Sequence, residues 1–430
     1  MNPKFLLAAA ALSLPSCSTM PNIAQPSVDD LARQYLAVQL AIGEKDPGYV
    51  DAYYGPEELK TAAEAADNAT TLPMLQSRVL ALDTTLAQLG TAPGSVEEER
   101  VENLRVLLAA AQVRLRMLRG EVIPFQDEAE GLFGVRPDLP ALSSFDPILA
   151  ELEELVPGEG PLGDRIGNFS EQFTVPVDRT RAVIDRAVEE CRDRTLPHVA
   201  MPDGERFTLS LVTDKPWGGF NYYQGDYHSV IEINTERPIN LRRATDVGCH
   251  EAYPGHHVYS TVLERDRVNR LGQIEYTLMP LYSPRAIIAE GSAEYGVKLA
   301  FPGETQMAFE RDVLAPIAGI DASRIADWYA LTEATDALQP AYYTIAAGYL
   351  DGTMPREQVI ANLMRYRLTS REGAEQSLRF LDTYRSYIVN YGLGEDLVGD
   401  YVERGNADMP TRWDRFIGIL NTPTLPEDLQ

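Results

Sequence analysis

Apolar residues recur at helical spacing over most of this chain and alternate, strand-like, over only two short stretches. From Asp30 onward Leu31, Tyr35, Val38 and Ile42 follow one another at three- and four-residue steps. A cap-like Ser27/Asp29/Asp30 cluster precedes them, which predicts a helix. Residues 73–119 hold two more periodic stretches, broken at Gly90–Gly94. In the second, Glu102, Arg105, Gln112 and Arg116 fall on one side and Leu104, Leu107, Leu108 and Leu115 on the other, the pattern of a helix with one wet face. Residues 120–165, rich in Pro, Gly and acids, predict a connection, and Val177 to Arg194 predict another helix. Near residue 205 the texture changes. Phe207, Leu209 and Leu211 alternate with Thr208 and Ser210, a half-buried strand broken by Pro216-Trp217-Gly218-Gly219. Val230, Ile231 and Ile233 around Glu232 predict a second strand, ended by Pro238. Beyond residue 240 the pattern is helical to about residue 391, followed by a polar, Pro-rich tail. The expected architecture is mainly α, with a small β element just upstream of a His-rich helix. An N-terminal helical region (18–165) precedes the region that carries the chemistry (166–430).

The first residues read as a targeting signal rather than as fold. Lys4 precedes an almost wholly apolar run, Phe5 to Leu14, which is too short to span a bilayer and is followed by Pro15-Ser16-Cys17. A Cys directly after Leu-x-Ser resembles a bacterial lipobox. That makes residues 1–17 a lipoprotein signal peptide and Cys17 the lipidated start of the mature chain; an ordinary secretory signal is the alternative. The expected location is the bacterial envelope, on the outer or inner membrane through the lipid; Ser18 after the Cys points to the outer one, on its periplasmic side. Composition narrows the partners further. With 38 Lys+Arg against 64 Asp+Glu the net charge is -26, which disfavours nucleic acid, since that binding relies on basic residues neutralising phosphates. The remaining cysteines, Cys191 and Cys249, could pair in an exported chain, although the sequence does not show that they meet. Cys249 reads equally as a small buried apolar residue.

Of five histidines, three fall within Cys249-His250-Glu251-Ala252-Tyr253-Pro254-Gly255-His256-His257. In the helical zinc motif His-Glu-x-x-His, both His share one face and the Glu beside the first is the general base. Here the second His arrives two residues late. At about 100° per residue, i+6 lies about 120° away from the first, so a straight helix would misplace His256. Pro254, which cannot bond the His250 carbonyl, and Gly255, with its backbone freedom, allow a two-residue bulge that restores His256 as ligand. His257 is the rival, returning to the same face about 10 Å along the axis. Zinc sites of this kind take three protein groups. Glu290, in Ala289-Glu290-Gly291-Ser292-Ala293-Glu294-Tyr295, is the expected third, with Glu294 one turn on as a carboxylate orienting a ligand imidazole. Glu251 would serve as base. Tyr342 and Tyr343, with Tyr349 and His228 behind them, are candidates to stabilise an oxyanion.

His-Glu-Ala-Tyr-Pro-Gly-His-His followed by Glu-Gly-Ser-Ala-Glu-Tyr resembles the motifs of the bacterial family known as domain of unknown function 885, which is grouped with the gluzincin-type zinc metallopeptidases. The resemblance covers roughly residues 205–350. Ser292 stands where that family usually has Trp, and the chain is shorter than typical members. The resemblance implies a zincin-like helical metallopeptidase with zinc as cofactor and peptide as substrate. It also implies an edge strand, matched here to residues 228–235, that binds the substrate in extended form. The competing expectations are a catalytically inactive metal- or peptide-binding lipoprotein and a zinc hydrolase of non-peptide amides.

Overall fold

The computed structural model describes residues 26–215 and 217–430; Cys17 and the targeting segment lie outside them. The chain is mainly helical, as its periodicity predicts. Helix α1 (Val28–Gly43) starts where expected. The Ser27 hydroxyl accepts the Asp30 N–H at 3.1 Å while the Asp30 carboxylate accepts the Ser27 N–H at 3.1 Å, a reciprocal cap. Its stripe of Leu31, Tyr35, Val38 and Ile42 is buried. Strand β1 (Val50–Tyr53) and helix α2 (Glu57–Ala66) lead to α3 (Leu72–Ala87) and α4 (Val96–Leu118), the two helices flanking the Gly90–Gly94 break.

Residues 120–165 are not the plain connection expected. They carry α5 (Phe125–Phe133), α6 (Asp146–Leu155) and α7 (Leu162–Ser170). Pro124 and Pro161 sit at N-caps and Pro147 in a first turn, where a missing N–H costs nothing. These prolines start helices instead of breaking them. The Pro-rich tail is likewise helical.

Helix α8 (Val177–Thr195) precedes a three-stranded sheet ordered β2-β4-β3, formed by β2 (Arg206–Val212), β3 (Gly219–Tyr223) and β4 (His228–Asn234). β2 runs parallel to β4, with Leu209 opposite Ile231; β3 runs antiparallel to it, with Asn221 opposite Ile231. β3 was not foreseen, because the Pro-Trp-Gly-Gly break hides its start. Its presence makes β4 the central strand, hydrogen-bonded on both sides. The strand expected as an edge at 228–235 is therefore central, and β2 and β3 are the two edges.

Then follow α9 (Leu241–Glu251), α10 (His256–Leu263), β5 (Leu278–Pro280) and the buried α11 (Pro284–Ala300). The chain ends with α12 (Ile325–Asp336), α13 (Gln339–Leu350), α14 (Arg356–Tyr366), α15 (Arg371–Tyr384), α16 (Val389–Glu403) and α17 (Met409–Asn421). The two regions divided at residue 165 share one core. β1 pairs antiparallel with β5. The buried Arg100 guanidinium of α4 donates to both oxygens of buried Glu275, at 2.7 and 3.0 Å, and Glu128 of α5 accepts from Arg385 and from the Ser386 hydroxyl.

Helices α11 and α16 cross backbone on backbone. A Cβ on Gly291 would stand 2.2 Å from the Gly394 carbonyl oxygen. That oxygen belongs to rigid helix backbone, so nothing flexible can yield. Gly291→Ala is expected to cost about 1–3 kcal/mol or more, the range for overpacked cores, and to lower the thermal midpoint. A midpoint equal to wild type would remove this crossing as a packing constraint.

Candidate metal centre

Helix α9 begins at Asn240, whose side-chain carbonyl accepts the Arg243 N–H at 2.7 Å, and buries Leu241, Ala244 and Val247. A disulfide ties it to α8: Cys191 and Cys249 are bonded, with Cα atoms 5.5 Å apart. The expectation of Cys249 as a simple apolar filler gives way to a cross-link fixed immediately before His250.

The chain does not bulge at Pro254-Gly255, as expected; it breaks. α9 stops at Glu251, a short loop runs through a cis Tyr253–Pro254 bond, and α10 starts at His256. The Gly255 N–H donates to the Cys249 carbonyl at 3.2 Å. A Cβ on Gly255 would lie 1.8 Å from the His250 carbonyl oxygen, so only glycine permits this return. Pro254 fits against α11 at Gly296, where a Cβ would approach its ring to 2.8 Å. The outcome is the one the bulge was meant to achieve. The rings of His250 and His256 meet at right angles, with centroids 4.6 Å apart.

Glu290 of α11 faces both rings. Its Oε2 lies 3.3 Å from Nε2 of His250 and 3.8 Å from Nε2 of His256, and one donor atom from each of the three residues falls within 4.8 Å of the others. Donors about 2.0–2.1 Å from a tetrahedral ion stand roughly 3.3–3.4 Å apart, so the set suits a small divalent cation. Glu290 Oε2 and Glu251 Oε2 are buried with no hydrogen-bond partner among the described residues, as expected of oxygens that serve a bound group. The second nitrogen of His250, Nδ1, lies 3.5 Å from Glu294 Oε1, the relation in which a carboxylate orients a ligand imidazole. Glu290 Oε1 accepts the Tyr387 hydroxyl at 2.8 Å.

His257 turns away. Its Nε2–H donates to Glu205 at 2.9 Å and its Nδ1 lies 2.8 Å from the Ser229 hydroxyl. Glu205 also accepts the Tyr253 hydroxyl, at 2.7 and 2.9 Å. This network pins the loop to the sheet and leaves neither ring nitrogen for a metal. Two further histidines stay apart: His198 stacks on Trp413, and His228 opens β4 outside the donor group.

Tyr342 and Tyr343 do not reach this centre. Their hydroxyls turn to the backbone of α15 and α16: Tyr342 donates to the Ser377 carbonyl at 3.5 Å, and the Tyr343 hydroxyl accepts the Leu393 N–H at 3.1 Å. The Tyr349 hydroxyl donates to Asp382. The tyrosines at the site are Tyr387, in the 3-10 turn Arg385–Ile388 just before α16, and Tyr391, one turn further on in α16. The Tyr391 phenol is pushed well up by burial and by the carboxylates of Glu290, Glu294 and Glu251 around it. Their i, i+4 spacing was the available signal, masked by the many tyrosines of this chain.

Electrostatics mark the same place. Burial works downward on His250, but the Glu290 carboxylate 3.3 Å from its Nε2 and the charges of Glu294 and Glu251 outweigh it and lift the ring to about 9. Burial and the charge of His250 push His256 down to about 4. Glu290 is held at about 2; burial opposes this and is overcome by His250, His256 and Tyr387. Burial and then Glu290 push Glu251 up to about 7, against the pull of His250. Glu251 is seated by β3. Asn221 Nδ2 donates to its backbone carbonyl at 2.7 Å, and a Cβ on Gly219 would lie 2.5 Å from its Oε1.

No family model and no curated protein matches this chain. Solved structures do. A presumed lipoprotein from Colwellia psychrerythraea is 16% identical and matches at a TM-score of 0.50, over 94% of this chain and 69% of its own. The likeness is one of fold. A presumed lipoprotein of unknown function from Shewanella oneidensis is 14% identical at a TM-score of 0.42, over 93% of this chain and 73% of its own. Among the described residues, no helix is long and apolar enough to cross a membrane.

Loss of His256 is expected to strip a loaded divalent ion, whereas loss of His257 should leave it bound and lower the thermal midpoint instead. Metal content of dialysed His256→Ala and His257→Ala proteins checks this. Equal metal in both variants, or the reverse order, would overturn the donor assignment.

Proposed function

We propose that the chain is a zinc-dependent hydrolase, most simply a peptidase of zincin-like type related to the domain 885 family, exported and anchored in the bacterial envelope through Cys17. The observation that carries this reading is the unpartnered Glu251 carboxylate, buried beside a set of two imidazoles and one carboxylate. Two His and one Glu are the donors of many hydrolytic zinc sites. The same set can hold non-haem iron, but a general base with no ligand role belongs to hydrolysis. The disulfide supports export, since such bonds persist in oxidising compartments.

Bound there, zinc would polarise a scissile carbonyl and lower the pKa of an attacking water to near 7. The protein's own groups do the rest. Glu251 takes the proton of the attacking water and hands it to the leaving amine. The Tyr391 hydroxyl, in place of Tyr342 or Tyr343, donates to the oxyanion that develops on the substrate. Glu294 holds the His250 ring in orientation. The edge of β3, beside α9, offers main-chain groups to an extended peptide.

Glu251→Gln is expected to keep its zinc, because an amide of the same shape leaves the donors alone, and to lose roughly 10²–10⁴-fold in turnover. Wild type and variant at equal zinc content, tested on peptides taken from a library digest, decide it. A variant within about twofold of wild type, far inside that range, would remove Glu251 as base. A zinc-replete wild type that cleaves no peptide would favour a binding lipoprotein or a non-peptide amide substrate.

Tyr391→Phe removes one hydroxyl and little packing. Its kcat is expected to fall roughly 10²–10³-fold, the effect of one lost oxyanion donor, with zinc retained. Unchanged kcat would remove Tyr391 as the oxyanion donor.

A further inference from the structure

Helix α9 presents Arg243, Val247 and Glu251, each one turn after the last, to the start of β3. A Cβ on Gly219 would stand 2.5 Å from Glu251 Oε1 and 2.7 Å from Val247 Cγ2, and a Cβ on Gly218 would stand 2.4 Å from Arg243 Nη2. Two consecutive glycines therefore let the chain lie directly on all three side chains. Asn234 of β4 holds this segment from the other side. Its Nδ2 donates to the Lys215 carbonyl at 3.0 Å and to the Trp217 carbonyl at 2.9 Å, and its N–H donates to the Gly218 carbonyl at 3.0 Å. Cβ positions of neighbouring residues lie about 5–6 Å apart, which puts the Arg243 guanidinium within about 11 Å of the Glu251 carboxylate. Both groups adjoin the start of an edge strand, where an extended peptide would pair.

Arg243 is exposed. Among the described residues its guanidinium has neither a hydrogen-bond acceptor nor an ion-pair partner, in a chain with 64 acidic residues against 38 basic ones. Its neighbour Arg242 is balanced, with the Asp336 carboxylate at 2.9 Å and the Asp246 carboxylate at 3.5 Å. A cation in the first turn of a helix faces the positive end of the helix dipole. Arg243 thus gains nothing from α9 and nothing from a carboxylate of the chain. Its paired N–H donors match a carboxylate in shape and charge. An extended residue spans about 3.3–3.6 Å, so a peptide whose scissile carbonyl lies beside Glu251 can offer Arg243 a carboxylate about three residues away or fewer.

We infer that Arg243 is a specificity residue that binds a carboxylate of the substrate, either its C-terminal one or an acidic side chain, beside the metal centre. This rests on the peptidase reading for its ligand and is tested separately from it.

Zinc-loaded full-length Glu251→Gln protein, with and without Arg243→Gln, is titrated by calorimetry with three peptides. They are N-acetyl-tetra-alanine as the free acid, its C-terminal amide, and the C-terminal amide of N-acetyl-Ala-Ala-Glu-Ala. At least one carboxylate-bearing peptide is expected to bind roughly threefold to thirtyfold more tightly than the uncharged amide, the scale of a charged hydrogen bond reduced by solvent screening. Arg243→Gln should bring that ratio close to one, and Arg243→Lys should keep part of it. Preference for the free acid identifies the chain terminus, and preference for the glutamate peptide identifies the side chain. Because each protein is compared with itself across peptides, a general loss of stability does not imitate the result. No measurable binding, no carboxylate preference, or a preference that survives Arg243→Gln, as one made by the metal ion would, overturns the inference. A preference that Arg243→Gln abolishes, in a protein whose wild type cleaves nothing, leaves the carboxylate subsite standing and removes the peptidase reading. Cleavage by wild type without a carboxylate preference does the opposite.

Discussion

The centre depends on one close approach, that of Gly255 to the last turn of α9. With the His250 carbonyl oxygen 1.8 Å from where a Cβ would be, any other residue would push the chain outward, and His256 with it. Two imidazoles separated by five residues reach one point only if the helix ends after Glu251 and a new one starts at His256. Pro254 cannot extend α9, and Gly255 permits the return. The Glu205 network with Tyr253 and His257 then fixes the loop from its far side, and the Cys191–Cys249 disulfide fixes the helix just before its ligand.

Helix α11 completes the set through what it lacks. Gly291 admits the backbone of α16 and Gly296 admits Pro254, so two neighbours approach closer than side chains would allow. The first contact places Tyr387 on Glu290, and the second places the loop that ends in His256. A third element, β1, reaches the same helix through β5, the strand just before it. Residues from about 50 to 400 therefore converge on one helix, and the N-terminal region is part of the site's construction.

What was legible in the sequence was whatever is encoded locally. His250, Glu251, Glu290 and Glu294 could be found because helical spacing alone relates them within each segment, and the Pro-Gly interruption signalled that His256 needed a correction. The form of that correction, a break instead of a bulge, depends on contacts with α11 and the sheet that no local pattern records. Choosing His256 over His257 also required the sheet, since Ser229 and Glu205 are what occupy His257. Tyr342 and Tyr343 were attractive because they sit in an apolar helix, but their hydroxyls are taken up by the backbone of α15 and α16. Tyr391 escaped because it matters only beside residues distant in the chain, and β3 because the Pro-Trp-Gly-Gly break hides its start. The prolines of 120–165 misled for another reason. Pro is compatible with a helix's first turn and hostile to its interior, and composition does not distinguish these positions.

Charge supplies a final constraint. Glu251, Glu290 and Glu294 gather around the two imidazoles in a chain whose net charge is -26. His256 is pushed down to about 4 and so stays neutral near pH 7. Burial and then the charge of Glu290 push Glu251 up to about 7, against the pull of His250 and Arg243. A fold seldom keeps such an arrangement for stability, since apolar groups of similar size would pack there without repulsion. The arrangement would become favourable with a divalent ion between the imidazoles and Glu290. Such an ion would lower the field felt by the remaining carboxylates and return Glu251 toward its ionised form. Ion binding and the protonation of Glu251 would then be coupled through charge, with no change of backbone required.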